Sequence, residues 1–232
     1  MAQPTATASQ QGVALRAMSF WPTVFFVTRW PEHAERAPGI IDYCYALRDR
    51  AQRPIASGVA LSAKPAKGLA ESGFDLLEHD HEGLRALRAF IGASVAQAAS
   101  SINGKKVPPE RIDVAIDDAW FHITNEGGFH DTHTHAGCSW CGIYYLRVGD
   151  FTKPQDGAAP NGGNRFYSPL AWGGVSNDYG NEYLFQAYID PPLEDGMLLL
   201  FPSFLRHSAL PYTGREDRVV IAFNTRSTLR PA

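Results

Sequence analysis

Along the chain the spacing of apolar residues changes character near residue 110. From Ile40 to Ala51 the pattern I-I-D-Y-C-Y-A-L-R sets apolar residues at helical intervals. A stronger helix is predicted from about Asp80 to Ser101, where Leu84, Leu87, Phe90, Ile91 and Val95 repeat at three and four. Asn103-Gly104 closes it, a pair suited to a helix C-terminus. After Pro108-Pro109 the apolar residues come in short β-type segments, at 113–124, 139–148, 184–189, 196–201 and 217–226. An earlier strand-like run spans Phe20–Thr28. Even spacing and Gly, Pro, Asn and Asp punctuation predict a mainly β fold with flanking helices: an antiparallel sandwich or barrel with the helices against one outer face.

This pattern divides the chain into a flexible tail over 1–17, a strand and helices over 18–112, and a β core over 113–232, all as one domain. The stretch 150–183 is long and rich in Gly, Asn and Pro. Loops of that length are commonly functional, and Phe166, Tyr167, Trp172 and Tyr179 within it suggest a lid.

Composition narrows the class. The 232 residues are 44% hydrophobic and 12% aromatic, enough for one sizeable core. The 21 basic and 24 acidic residues are interspersed, for a net charge of -3, so a polyanionic partner such as nucleic acid or an anionic membrane is not expected. No apolar run is long enough to span a membrane and the first residues do not resemble a leader, which reads as a cytoplasmic protein with a frayed N-terminus. Three cysteines, Cys44, Cys138 and Cys141, give no disulfide framework, and reduced thiols are expected.

Candidate chemistry concentrates in one window. His122 is followed by His130, His133 and His135, the last three in F-H-D-T-H-T-H. Residues two apart on an extended strand share a face, so His133 and His135 can aim both imidazoles at one metal ion, with Asp131 on the same side. Imidazole suits several metals, so the pair does not choose among them. A third ligand should come from a distant strand, and His207, after the apolar strand Met197–Phe201, is the candidate. Arg218 opens the last strong strand, R-V-V-I-A-F-N. Buried there, it needs an anionic partner, and a dicarboxylate matches its planar fork; otherwise it is a rim residue paired with Glu216 or Asp217. Cys138-x-x-Cys141 offers a rival: with His133 and His135 it could form a zinc site stabilising a binding module, although residues three apart on a strand point to opposite faces. His79 and His81 read as a capped, solvated helix start, and His122 as core or as a neighbour of the site. Asn125 and Asn164 could touch substrate or serve their turns.

The order His-x-His, C-G-I-Y-Y-L, G-M-L-L-L-F-P-S-x-x-x-H and R-V-V-I-A-F-N, over about residues 115–227, resembles the 2-oxoglutarate/Fe(II) oxygenases. It is most similar to an uncharacterised bacterial and phage subgroup, and more distantly to prolyl hydroxylases. The resemblance implies a double-stranded β-helix, a jelly-roll of cupin-like form. It implies Fe(II) on His133, His135 and His207, and 2-oxoglutarate held through its distal carboxylate by Arg218 and Tyr145. The wider superfamily uses Asp or Glu as second ligand; here the set would be His-x-His…His, with Asp131 as an orienting partner or an alternative ligand. The implied reaction consumes O2 and 2-oxoglutarate, releases succinate and CO2, and oxidises a small molecule by hydroxylation, desaturation or ring formation. A cupin-like three-His enzyme that does not use 2-oxoglutarate, and a metal-free interaction module, remain alternatives. The oligomeric state stays open, a homodimer included.

Overall fold

A computed structural model of the chain describes residues 23–51, 68–103, 107–152, 160–169 and 187–230. The expected tail, the start of the Phe20–Thr28 run, Gly104, Trp172, Tyr179 and the first part of the 184–189 segment lie outside them. The described elements run β1 (Phe26–Arg29), α1 (His33–Ala51), β2 (Leu69–Glu71), α2 (Glu82–Ile102), β3 (Ile112–Thr124), β4 (Gly128–His133), β5 (Trp140–Arg147), β6 (Gly163–Tyr167), β7 (Tyr188–Ile189), β8 (Met197–Pro202), β9 (His207–Tyr212) and β10 (Arg218–Leu229). They form two antiparallel sheets, one ordered β1-β8-β5-β10-β3-β2 and the other β4-β9-β6-β7. Two such sheets facing each other make the expected jelly-roll.

Helix α1 starts seven residues before Ile40, running through Pro38, whose missing N–H removes one bond from its second turn. Arg36 ties this end down by pairing with Glu32 at 2.5 Å and with Glu82, at the start of α2, at 2.9 Å. His81 caps α2 by accepting a hydrogen bond from the Leu84 amide, as expected of a helix start. Both helices cover the outer face of the larger sheet. Ile40 and Cys44 from α1, and Leu84, Leu87, Ile91 and Val95 from α2, pack with Phe121, Tyr144, Leu198, Val219, Ile221 and Phe223.

The period-two alternation of the central strands then sorts the other residues inward. On β10, Val219, Ile221 and Phe223 meet the helices, whereas Arg218, Val220, Ala222 and Asn224 line a cavity between the sheets. On β5, Tyr144 and Leu146 face the helices, and Cys141, Ile143 and Tyr145 join a second apolar cluster with Phe166, Leu199 and Phe201. Gly142 must lack a side chain because a Cβ there would collide with the Phe223 ring. A β-bulge interrupts the β3–β10 pairing between Asn224 and Thr225, adding Asp117 to β3. It shifts the alternation by one: Val114 and Ile116 face the helices before it, Ala119, Phe121 and Ile123 after it.

One expectation is corrected. Within 150–183, residues 163–167 are strand β6, paired with β9 and β7, and Phe166 is buried against Phe25 and Phe201 instead of covering an opening. A lone five-residue strand in a Gly- and Asn-rich stretch carries too little alternation to be seen before its partners are known. Among the described residues no helix is long and apolar enough to cross a membrane.

Candidate functional site

His133 and His207 are direct partners across the β4–β9 pair, so both side chains leave the smaller sheet on one face. Their ring centres are 4.3 Å apart. His135 lies two residues past the end of β4, where its amide donates to the Ser203 carbonyl at 3.1 Å. That bond, more than strand geometry, turns its ring back toward the pair. Its centre lies 5.0 Å from that of His133 and 5.2 Å from that of His207, and its Nε2 is 3.4 Å from Nε2 of His207. One ring nitrogen from each of the three lies within 4.8 Å of the others, close enough to share a single ion.

Backbone carbonyls orient two of the rings. His207 donates from Nδ1 to the Leu205 carbonyl at 2.9 Å, and His133 from Nδ1 to the Asp131 carbonyl at 2.7 Å. Each bond leaves Nε2 as the free ligating atom. Burial, followed by the neighbouring imidazoles, lowers the pKa of His135 to about 4 and of His207 to about 3; burial also lowers that of His133. All three rings are therefore neutral near pH 7, the state a metal requires. Asp131 is exposed, and its carboxylate is not among the converging groups; it contributes its carbonyl.

Arg218 enters the same cavity and is 1% exposed. Its Nη2 donates to Asn164 Oδ1 at 2.6 Å, and the Tyr145 hydroxyl donates to that same oxygen at 2.9 Å. Arg218 Nε has no partner, and among the described residues no carboxylate pairs with the guanidinium. Glu216 and Asp217, its sequence neighbours, do not reach it; Asp217 instead accepts from Tyr45 and Asn125. Burial lowers the Arg218 pKa, yet a guanidinium remains charged. A buried, unsatisfied cation beside two fixed hydrogen-bonding groups fits a carboxylate ligand.

Asn164 is the residue that sequence reasoning could not rank. It is 5% exposed at the start of β6, and nothing in Asn-Gly-Gly-Asn distinguishes a buried amide from a turn. His122 is buried, accepts from Trp120 Nε1 at 3.0 Å and lies 2.6 Å from Glu71. Glu71 escaped notice because β2 is only three residues long. Asn125 serves its turn, holding Gly214 and Asp217. The Cys138 and Cys141 sulfurs are 3.7 Å apart, contrary to the expectation that they diverge, because Cys138 precedes β5 and is not on it. Neither joins the converging histidines, which leaves the four-ligand zinc arrangement without its sulfur half.

Residues 118–224 match the family model described as "Putative 2OG-Fe(II) oxygenase". No protein of curated function matches the chain. Among solved structures, the non-heme alpha ketoglutarate dependent epimerase SnoN from nogalamycin biosynthesis aligns over 89% of this chain and 80% of its own, at 12% identity and a TM-score of 0.57. SnoN in complex with Fe3+, alpha ketoglutarate and nogalamycin RO aligns over 89% and 81%, at 14% identity and a TM-score of 0.54. A prolyl-4-hydroxylase from Pseudomonas putida aligns over 87% and 92%, at 18% identity and a TM-score of 0.50. At these identities the structural likenesses speak for the fold, and the family match covers the residues that include the three histidines and Arg218. Over residues 118–224, then, the chain is similar to the 2-oxoglutarate/Fe(II) oxygenases, and its fold is the one these structures share.

Proposed function

We propose that this protein is an Fe(II)- and 2-oxoglutarate-dependent oxygenase that oxidises a small molecule, in the simplest case by hydroxylation, with release of succinate and CO2. The carrying observation is Arg218: a fully buried guanidinium with an unpaired Nε, opening into the cavity on which three neutral imidazoles converge.

His133, His135 and His207 would hold the iron, and Arg218 with Tyr145 would hold the distal carboxylate of 2-oxoglutarate. Iron with 2-oxoglutarate supplies activation of O2, coupled to oxidative decarboxylation of the cosubstrate. The protein's part is positioning. Asn164 restrains Arg218 and Tyr145 through one shared oxygen; the free Arg218 Nε–H is then in place for the carboxylate, and the Tyr145 hydroxyl would turn its one proton from Asn164 to it. The Leu205 and Asp131 carbonyls keep His207 and His133 in the tautomer that presents Nε2. A three-imidazole set would bring no negative charge to the metal, so one carboxylate of the cosubstrate would offset charge there while the other meets Arg218. Aromatic and aliphatic walls from Trp120, Phe201 and Val220 reduce access of water.

A cupin-like reading without 2-oxoglutarate leaves Arg218 buried without a purpose. The deciding experiment follows O2 uptake in anaerobically iron-loaded protein, with and without 2-oxoglutarate, while succinate is quantified. Succinate formation that needs both iron and 2-oxoglutarate is expected; iron-dependent O2 uptake indifferent to 2-oxoglutarate refutes the proposal.

A further inference from the structure

We infer that the substrate oxidised here carries a cationic nitrogen, a protonated amine or guanidinium, which Asp118 binds; this rests on the function proposed above for the same cavity. Strand β10 crosses the cavity from Arg218 to Asn224, roughly 20 Å at the usual rise of a strand. Its two ends differ in charge. At the Arg218 end sits the cavity's permanent cation; at the other, Asn224 is paired in register with Asp118 on one side and Cys141 on the other.

The bulge in β3 creates this second end. It inserts Asp117 beside Asp118 on the face away from the helices; both Asp117 carboxylate oxygens accept from Arg226, at 2.7 and 2.8 Å, whereas Asp118 lines the cavity. Asp113 pairs with Arg230. Asp118 differs from both: half-buried, it has no ion pair among the described residues and accepts only from the neutral Asn224 amide at 3.2 Å. That amide is itself fixed, because its oxygen takes the Cys141 thiol at 3.3 Å and its NH2 is left to face Asp118. The next inward residue on β3, Trp120, has its ring centre 5.9 Å from that of His135 and meets Phe74 edge-on at 5.1 Å. A carboxylate beside aromatic rings is the usual setting for binding an ammonium group. Glu71, the other carboxylate of the wall, is engaged 2.6 Å from His122 and stands in register with it, away from Asp118. A cation is therefore drawn to Asp118, and a dicarboxylate is repelled from it toward Arg218, so the two reactants do not exchange places. At about 350 Å³, the cavity has room for a small metabolite.

The test is anaerobic calorimetric titration of the iron- and 2-oxoglutarate-loaded protein with n-butylammonium, n-butanol and butyrate. Saturable binding of the ammonium is expected, at least tenfold tighter than either analogue. Asp118→Asn should weaken it at least tenfold while keeping iron and 2-oxoglutarate binding, and Asp118→Lys should turn the preference toward butyrate. Asp117→Asn, at the neighbour paired with Arg226, should leave ammonium binding unchanged. Absence of ammonium binding to the wild type, equal binding of butanol, or undiminished binding in Asp118→Asn overturns the inference. Repeating the titration on metal-free protein separates the two proposals: Asp118-dependent ammonium binding there survives even if no 2-oxoglutarate turnover is found.

Discussion

His133 and His207 face each other across the β4–β9 pair with ring centres 4.3 Å apart, each donating from Nδ1 to a carbonyl two residues earlier in the chain. This arrangement sets two of the three converging imidazoles in a β-ladder. The third imidazole, His135, depends on the single backbone bond to Ser203.

Loss of any of the three rings should therefore be severe. His133→Ala, His135→Ala and His207→Ala are each expected to weaken Fe(II) binding by more than about 100-fold, since even changes to the partners of metal ligands cost 10- to 100-fold. Anaerobic equilibrium dialysis measures this. Stoichiometric iron retained by the His135 variant would point to rescue by another group, and the exposed Asp131 carboxylate is the one to mutate next.

Iron should also stabilise the fold. At a free Fe(II) concentration about 100 times its Kd, the gain is about 2.7 kcal/mol, read as a rise in the anaerobic melting temperature that a chelator reverses. His207→Ala should abolish the rise.

Arg218→Met separates cosubstrate binding from stability. Removing the partner of a buried carboxylate costs about 2–5 kcal/mol, so the 2-oxoglutarate requirement should rise by about 30-fold or more while iron stays bound. The ligand-free protein should be no less stable than wild type, because the substitution removes a buried charge that lacks an anionic partner. Tyr145→Phe removes one hydroxyl and should raise the requirement by about fivefold, near 1 kcal/mol. Unchanged dependence in the Arg218 variant takes that residue out of the site.

Gly142→Ala tests the packing beneath the cavity. Its Cβ would meet the Phe223 ring, and a loss of about 1–3 kcal/mol is expected by urea unfolding. Phe223→Leu in the same chain should recover part of it, a coupling visible in a double-mutant cycle.

Acid should destabilise the metal-free protein. Unfolded, His135 and His207 protonate near pH 6.5; folded, they resist until about 4 and about 3. Between those limits the unfolded state binds more protons, so stability falls as pH drops from about 6.5 toward 4. Urea midpoints measured across that range should decline, and less steeply in His207→Gln.

By itself the sequence determined what short-range periodicity can carry. The repeat of Leu84, Leu87, Ile91 and Val95 specifies α2, and the runs at 113–124, 196–201 and 217–226 specify β3, β8 and β10, because burial of one face imposes a period on neighbouring residues. His-x-His marked where metal chemistry could lie for the same local reason. Tertiary structure alone decided what depends on register between distant strands: that His207 stands opposite His133, that Asn164 joins Arg218 to Tyr145, and that Phe166 lies in a strand and not in a lid. It also decided that adjacent Asp117 and Asp118 take different partners, Arg226 and Asn224, since the bulge at Asp117 exists only where β3 meets β10. A bulge or a cross-strand partner is a property of two segments at once, and no local pattern in either segment contains it.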